Sequence, residues 1–252
     1  MPSFHALLPV LIALLSGCQT YAFEVDRPPI ERSAREGLVC AWSEADAERV
    51  AGELDRLVPL VRALKGVECD PPLVILTREE LMGGLDGLAT DDLILLGPGW
   101  QGVERFVLAH ELSHYFRDDV WGALPYAVEE GLADLVAEGI EPDQASFVLF
   151  PRLTNIPLKI DRPLLEGLLS LKRSLEAPLD ETTDSQSRAI GFVVAIELGI
   201  EELRRLCVRA RAEGLDQVPP DWILAEMPFP VEDSERWRRC ITDHLNRSRP
   251  TN

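Results

Sequence analysis

Apolar positions recur at helical spacing from Ser43 onward: Val50, Leu54, Leu57, Val58 and Val61 fall on one face and predict a helix over 43–65. Ser43 is its N-cap, with Asp46 three residues on. Pro59 removes one backbone bond and is a candidate kink, and Gly66 ends the helix. Two short unbroken apolar runs follow. Leu73-Val74-Ile75-Leu76 comes after Pro71-Pro72, and Leu93-Ile94-Leu95-Leu96 is closed by Gly97-Pro98-Gly99, so both have the length and borders of strands. Between them Thr77 reads as the N-cap of a brief helix reaching Leu81. The helical period then returns with Val103, Phe106, Val107, Ala109, Leu112 and Phe116, predicting a helix over about 102–117. Further helices are expected over 127–139, 163–175 and 187–213, the last with Gly199 as a breaking point, and then near Trp222 and over 231–246. Strands cluster before residue 100 and helices after it. That order predicts an α+β fold: a small sheet packed with the 102–117 helix, followed by a mostly helical C-terminal lobe. The domain is placed at 37–250, with an α/β part over 37–120 and a helical part over 121–250.

The first residues break this pattern. Phe4 to Gly17 is apolar apart from His5 and small residues, and it is too short to span a bilayer comfortably. It has the length of a secretory signal core. Leu15-Ser16-Gly17-Cys18 resembles the lipobox of bacterial lipoproteins, although the preceding Met-Pro-Ser-Phe-His carries no Lys or Arg. That resemblance implies a signal peptide over 1–18, lipidation of Cys18 and a periplasmic domain hung on a tether over 19–36 that contains Pro28-Pro29. Gln19 after the cysteine implies sorting to an outer membrane. A plain cleaved signal and a short buried helix are the alternatives.

Composition narrows the partners. Apolar residues make up 46% and charged residues 27% of the 252-residue chain, the balance of a globular protein. Asp and Glu number 43 against 25 Lys and Arg, a formal charge of −18. Nucleic-acid binding requires a basic stripe, and none is present, so that class is excluded. Membrane contact is expected only through a lipid on Cys18. In an oxidising compartment Cys40, Cys69, Cys207 and Cys240 form an even set that allows three disulfide pairings. Cys207 with Cys240 would clip two C-terminal helices together. No cysteine pair has zinc-ligand spacing.

The chemistry lies in His110-Glu111-Leu112-Ser113-His114. On a helix, residues i and i+4 stand one above the other, so two imidazoles can reach one ion. Glu111 is rotated about 100° around the axis, where its carboxylate can address a water rather than the ion. A catalytic zinc needs a third protein ligand. Pro125-Tyr-Ala-Val-Glu-Glu130-Gly-Leu-Ala-Asp134 supplies it at the start of the next helix: Glu130 is the choice, with Glu129 also eligible. Asp134, one turn later, can orient a ligating histidine. Trp100 and Trp121 flank the motif helix as packing residues.

His110-Glu-Leu-Ser-His114 followed by Glu130-Gly-Leu-Ala resembles the gluzincin branch of zinc metallopeptidases, the thermolysin-like group. The resemblance implies a zincin-like fold, Zn²⁺ held by His110, His114 and Glu130, Glu111 as general base, and Asp134 supporting a histidine. The separation of His114 from Glu130, fifteen residues (115 to 129), is shorter than in the best-known members. Arg188-Ala-Ile-Gly-Phe192-Val-Val-Ala-Ile-Glu-Leu-Gly199 resembles the helix that follows the site in these proteins. Two positions depart from the pattern: the tyrosine expected six residues before Phe192 falls on Gln186, and the serine beside Phe192 is Gly191. Tyr126, Arg188 and His244 are the remaining candidates for a transition-state donor. The expected activity is zinc-dependent hydrolysis of a protein or peptide substrate. The rival from another class is a zinc-bearing periplasmic lipoprotein without catalysis, acting as a binding or assembly module; a purely structural helical protein would hold no stoichiometric metal.

Overall fold

The computed structural model describes residues 10–16, 19–25, 28–78, 81, 86–98, 104–145, 155–157, 159–171 and 179–248. The fold is α+β, as the order of apolar patterns predicts. The chain divides into two compact units, one of Met1–Ala63 with Glu68–Phe116 and the other of Leu64–Val67 with Arg117–Asn252.

In the first unit, β1 (Val10–Ser16) and β2 (Gln19–Val25) pair as an antiparallel hairpin, Val10 opposite Val25. A separate five-stranded sheet is built from β3 (Ile30–Ala34), β4 (Gly37–Ala41), β5 (Leu73–Leu76), β6 (Gly87–Ala89) and β7 (Leu93–Leu96). Its strand order is β3-β4-β5-β7-β6. The middle pairs β4–β5 and β5–β7 are parallel, while the edge strands β3 and β6 run antiparallel to their neighbours. A parallel pair needs a long crossover, and α1 (Glu44–Lys65) supplies the one between β4 and β5. The two central runs are apolar without alternation because the sheet is covered on both faces: Val74, Ile75, Ile94 and Leu96 are fully buried. On one face Cys40, Ile75, Leu93 and Leu95 form a core with Leu73, Leu81 and Leu88 packed against it.

The sheet begins at Ile30, inside the stretch read as tether. Its first strand, Ile-Glu-Arg-Ser-Ala, is largely exposed and carries charge, as edge strands do, so no apolar pattern announces it. Cys18 lies outside the described residues, as do residues 79 and 80 of the short helix expected after Thr77. Helix α1 runs unbroken through Pro59. Arg62 braces it, with an ion pair to Glu36 (3.0 Å), a hydrogen bond donated to the Cys69 carbonyl (2.7 Å) and its guanidinium 5.0 Å above the Phe116 ring. Helix α2 (Glu104–Tyr115) packs on β6 and β7, and every residue from Phe106 to Ser113 is buried.

The second unit is helical. A 3-10 turn at Trp121–Ala123 leads into α3 (Tyr126–Ile140), followed by α4 (Arg162–Leu169), α5 (Glu181–Ala212), α6 (Pro220–Glu226) and α7 (Ser234–Ser248). Asp161 and Asp180 cap α4 and α5 through their carboxylates. Helix α5 starts earlier than its apolar period, because its first turn is a polar, capped segment. It is broken at Gly199, whose φ of 72° is one that glycine alone adopts without strain.

Cys40, Cys69, Cys207 and Cys240 are present as thiols, so none of the three possible pairings, Cys207 with Cys240 included, is formed. Cys207 in α5 and Cys240 in α7 instead pack as small apolar groups in the core, and burial pushes the Cys207 thiol up to about 12.

Lys65 is also inside this unit, 3% exposed. Its ammonium lies 5.2 Å above the Trp121 ring, while its carbonyl accepts bonds from Trp121 Nε1 (3.1 Å) and Arg204 (2.8 Å). Desolvation pushes its pKa down to about 8 from 10.5. The unfolded chain therefore binds the proton more tightly than the fold does. The penalty is full below pH 8 and is relieved as pH rises from about 8 to 10.5. Lys65→Met is expected to raise unfolding free energy at neutral pH by on the order of 3 kcal/mol and to abolish a stability gain between pH 8 and 10. Urea titrations at a series of pH values check both; parallel pH profiles for the two proteins would refute the assignment.

Candidate metal centre

Helix α2 sets the first two donors. His110 is 8% exposed and His114 partly exposed, and their Nε2 atoms stand 3.1 Å apart on successive turns. The rings meet edge to face, with centroids 4.8 Å apart. Zinc–imidazole bonds of ~2.0–2.1 Å in a tetrahedron put two ligand nitrogens about 3.3 Å apart, so the pair already has the spacing of co-ligands. Glu130, 4% exposed in α3, completes a group in which one ligand atom from each of His110, His114 and Glu130 lies within 4.8 Å of the others. Two neutral imidazoles and a carboxylate are the donor set of zinc, and these residues fit it. Glu129, the other eligible carboxylate, is instead ion-paired with Arg117 at 3.4 Å.

Glu111 is 7% exposed and lies against β6. A Cβ at Gly87 would come 2.6 Å from its Cγ and 2.8 Å from Oε1, so the absence of a side chain at Gly87 leaves the room that the carboxylate occupies. Nothing in the spacing of the motif points to Gly87.

Glu130 is held from behind. Arg188 of α5 makes an ion pair with its Oε2 at 2.8 Å. The same guanidinium reaches Asp184 through Nε (3.2 Å) and donates to the Tyr126 hydroxyl (3.3 Å), which in turn donates to Asp184 Oδ1 (2.7 Å). Burial works against the Arg188 charge, yet Glu130, Tyr126 and Asp184 outweigh it and raise its pKa above the ordinary arginine value. Both Tyr126 and Arg188, candidate transition-state donors by sequence, are thus members of one network around Glu130. Asp184 was not singled out from sequence, although its i,i+4 spacing to Arg188 carries the signal.

Asp134 is fully buried one turn beyond Glu130. His244, the third candidate donor, pairs through Nε2 with Glu138 Oε2 at 2.7 Å and stands edge-on to Phe192. Glu138 is eight residues past Glu130, roughly 12 Å along the helix, so His244 is engaged away from the cluster.

The departure at Gly191 has a steric cause. Helices α3 and α5 cross backbone on backbone: a Cβ on Gly131 would sit 2.1 Å from the Gly191 carbonyl carbon, and one on Gly191 would sit 1.7 Å from the Ala127 carbonyl oxygen. A serine at 191 cannot be accommodated at this crossing.

No protein-family model matches the chain, and no curated protein matches it. Among solved structures, native yeast LTA4 hydrolase superposes on 92% of this chain and 44% of its own, with a TM-score of 0.52 and 14% sequence identity. The chain therefore spans less than half the length of that protein. The likeness is one of fold.

Gly191→Ala is expected to lower unfolding free energy by several kcal/mol, on the order of 2–4, as the helices are forced apart. Gly139→Ala, where a Cβ meets nothing within 4 Å, is expected to cost nothing. Thermal melts of the two variants side by side test the crossing; equal midpoints would refute it.

Proposed function

We propose that this protein is a zinc metallopeptidase. The single observation that carries the reading is the grouping of His110, His114 and Glu130, with the buried Glu111 beside the first histidine. The gluzincin resemblance and the fold likeness to a hydrolase support it. His110, His114 and Glu130 would hold the zinc, which would supply Lewis acidity towards a peptide carbonyl and a water. Glu111, fixed against Gly87, accepts the proton of the attacking water as the new C–O bond forms. It then delivers that proton to the amine nitrogen as the C–N bond breaks. Asp134 orients an imidazole from its buried position in α3.

A second reading has one observation in its favour. Gln186 stands where a tyrosine is expected, and Tyr126 and Arg188 are tied into the Asp184–Glu130 network. A zinc-bearing binding module would bind metal one-to-one and cleave nothing.

The wild-type domain is expected to retain about one equivalent of zinc after dialysis and His110→Ala to retain none, measured by elemental analysis. Glu111→Gln should keep the metal and lose peptide hydrolysis by on the order of a hundredfold or more. Full hydrolysis by Glu111→Gln would end the general-base role. Metal retention with no cleavage of any peptide in a wild-type library screen would select the binding module.

We also propose that Cys18 is lipidated and anchors the domain in the periplasm at the outer membrane, on the strength of the Leu-Ser-Gly-Cys run and Gln19. Cys18→Ser should move the protein out of the membrane fraction when the full chain is expressed in a bacterium with an outer membrane. An unchanged distribution would dismiss the anchor.

A further inference from the structure

We infer that Arg188 is a positioning residue that makes Glu130 a one-oxygen ligand and holds its carboxylate in place before any ion arrives. The inference rests on the metal reading of the same site. Three observations carry it. Glu130 is almost wholly buried, so the orientation of its carboxylate is set by protein contacts and not by solvent. Arg188 holds Oε2 at 2.8 Å, so one of the two oxygens is already engaged and the ion is met through a single oxygen. The guanidinium is itself fixed at a second point, Asp184 at 3.2 Å, with the Tyr126 hydroxyl closing the ring of contacts, so it cannot simply follow the carboxylate.

The backbone explains why the arrangement is stiff. Glu130 and Arg188 each stand beside the glycine crossing, Glu130 directly before Gly131 and Arg188 three residues before Gly191. Two helices in contact through bare backbone have little freedom to slide, and the distance between the two side chains is set by that contact. A lysine in place of Arg188 keeps a charge but not the planar grasp of two carboxylates at once. The consequence for the site is a ligand that takes up little space around the ion, with coordination left open for water and substrate.

Cobalt(II) is the probe, since its visible absorption is strong when four-coordinate and weak when coordination rises. The folded wild-type protein, Arg188→Gln and Arg188→Lys are each loaded with one equivalent of Co²⁺ and titrated with a competing chelator. Circular dichroism identifies the folded variants, and Arg188→Lys carries the test if Arg188→Gln does not fold. Wild type is expected to show the intense spectrum. Both variants should lose intensity as Glu130 engages through both oxygens, and should bind Co²⁺ about tenfold or more weakly. A spectrum and affinity within twofold of wild type in a folded variant would overturn the role of Arg188 while leaving the metal site standing. Failure of the wild-type protein itself to bind Co²⁺ or Zn²⁺ would overturn the metal reading and this inference with it.

Discussion

The contact of α3 with α5 through bare backbone is the constraint from which much of the helical unit follows. Glycine at 131 and at 191 removes the side chains that would hold the helices at the usual 8–10 Å spacing. Close approach brings Arg188 within ion-pair distance of Glu130, and that pair makes a deeply buried carboxylate tolerable. Asp184 and Tyr126 then fill out the polar network so that the guanidinium is not left with one partner. Helix-forming sequences normally avoid glycine because it costs backbone entropy. Here that cost is offset by geometry no other residue permits.

The α2 pair rests on simpler grounds. Four residues along a helix is nearly one turn, so any two histidines so spaced share a face. What the structure adds is burial. Packing of α2 on β6 and β7 buries His110 and Glu111, and electrostatic interactions of buried groups are less weakened by water than those at the surface.

Legibility in the sequence followed the strength of the local pattern. The long helices and the strands Leu73–Leu76 and Leu93–Leu96 were readable because their apolar runs are buried on one face or on both. Strands β3, β4 and β6 were not, being short edge or near-edge segments whose identity comes from their partners rather than from their own period. Among site residues, the histidines, Glu111 and Glu130 carry a spacing that chemistry dictates. Gly87 carries none that can be read without knowing which helix it faces, and Asp184 carries only its i,i+4 spacing to Arg188. Thiols at 207 and 240 illustrate the converse: an even number of cysteines suggests bonds, but buried positions on two helices satisfy them as apolar groups. His244 was similarly ambiguous. Its carboxylate partner, Glu138, is fixed by packing and not by distance along the chain.

One consequence follows from the edge strand β6. A methyl group at position 87 would fall among side-chain atoms of Glu111 and not on backbone, so the strand there could tolerate the intrusion by turning the carboxylate aside. Stability and the orientation of the carboxylate are therefore separable at that position. Drift from glycine to alanine would leave an intact, well-folded protein whose acid group is turned aside, so the shape of the fold and the placement of this carboxylate can part company.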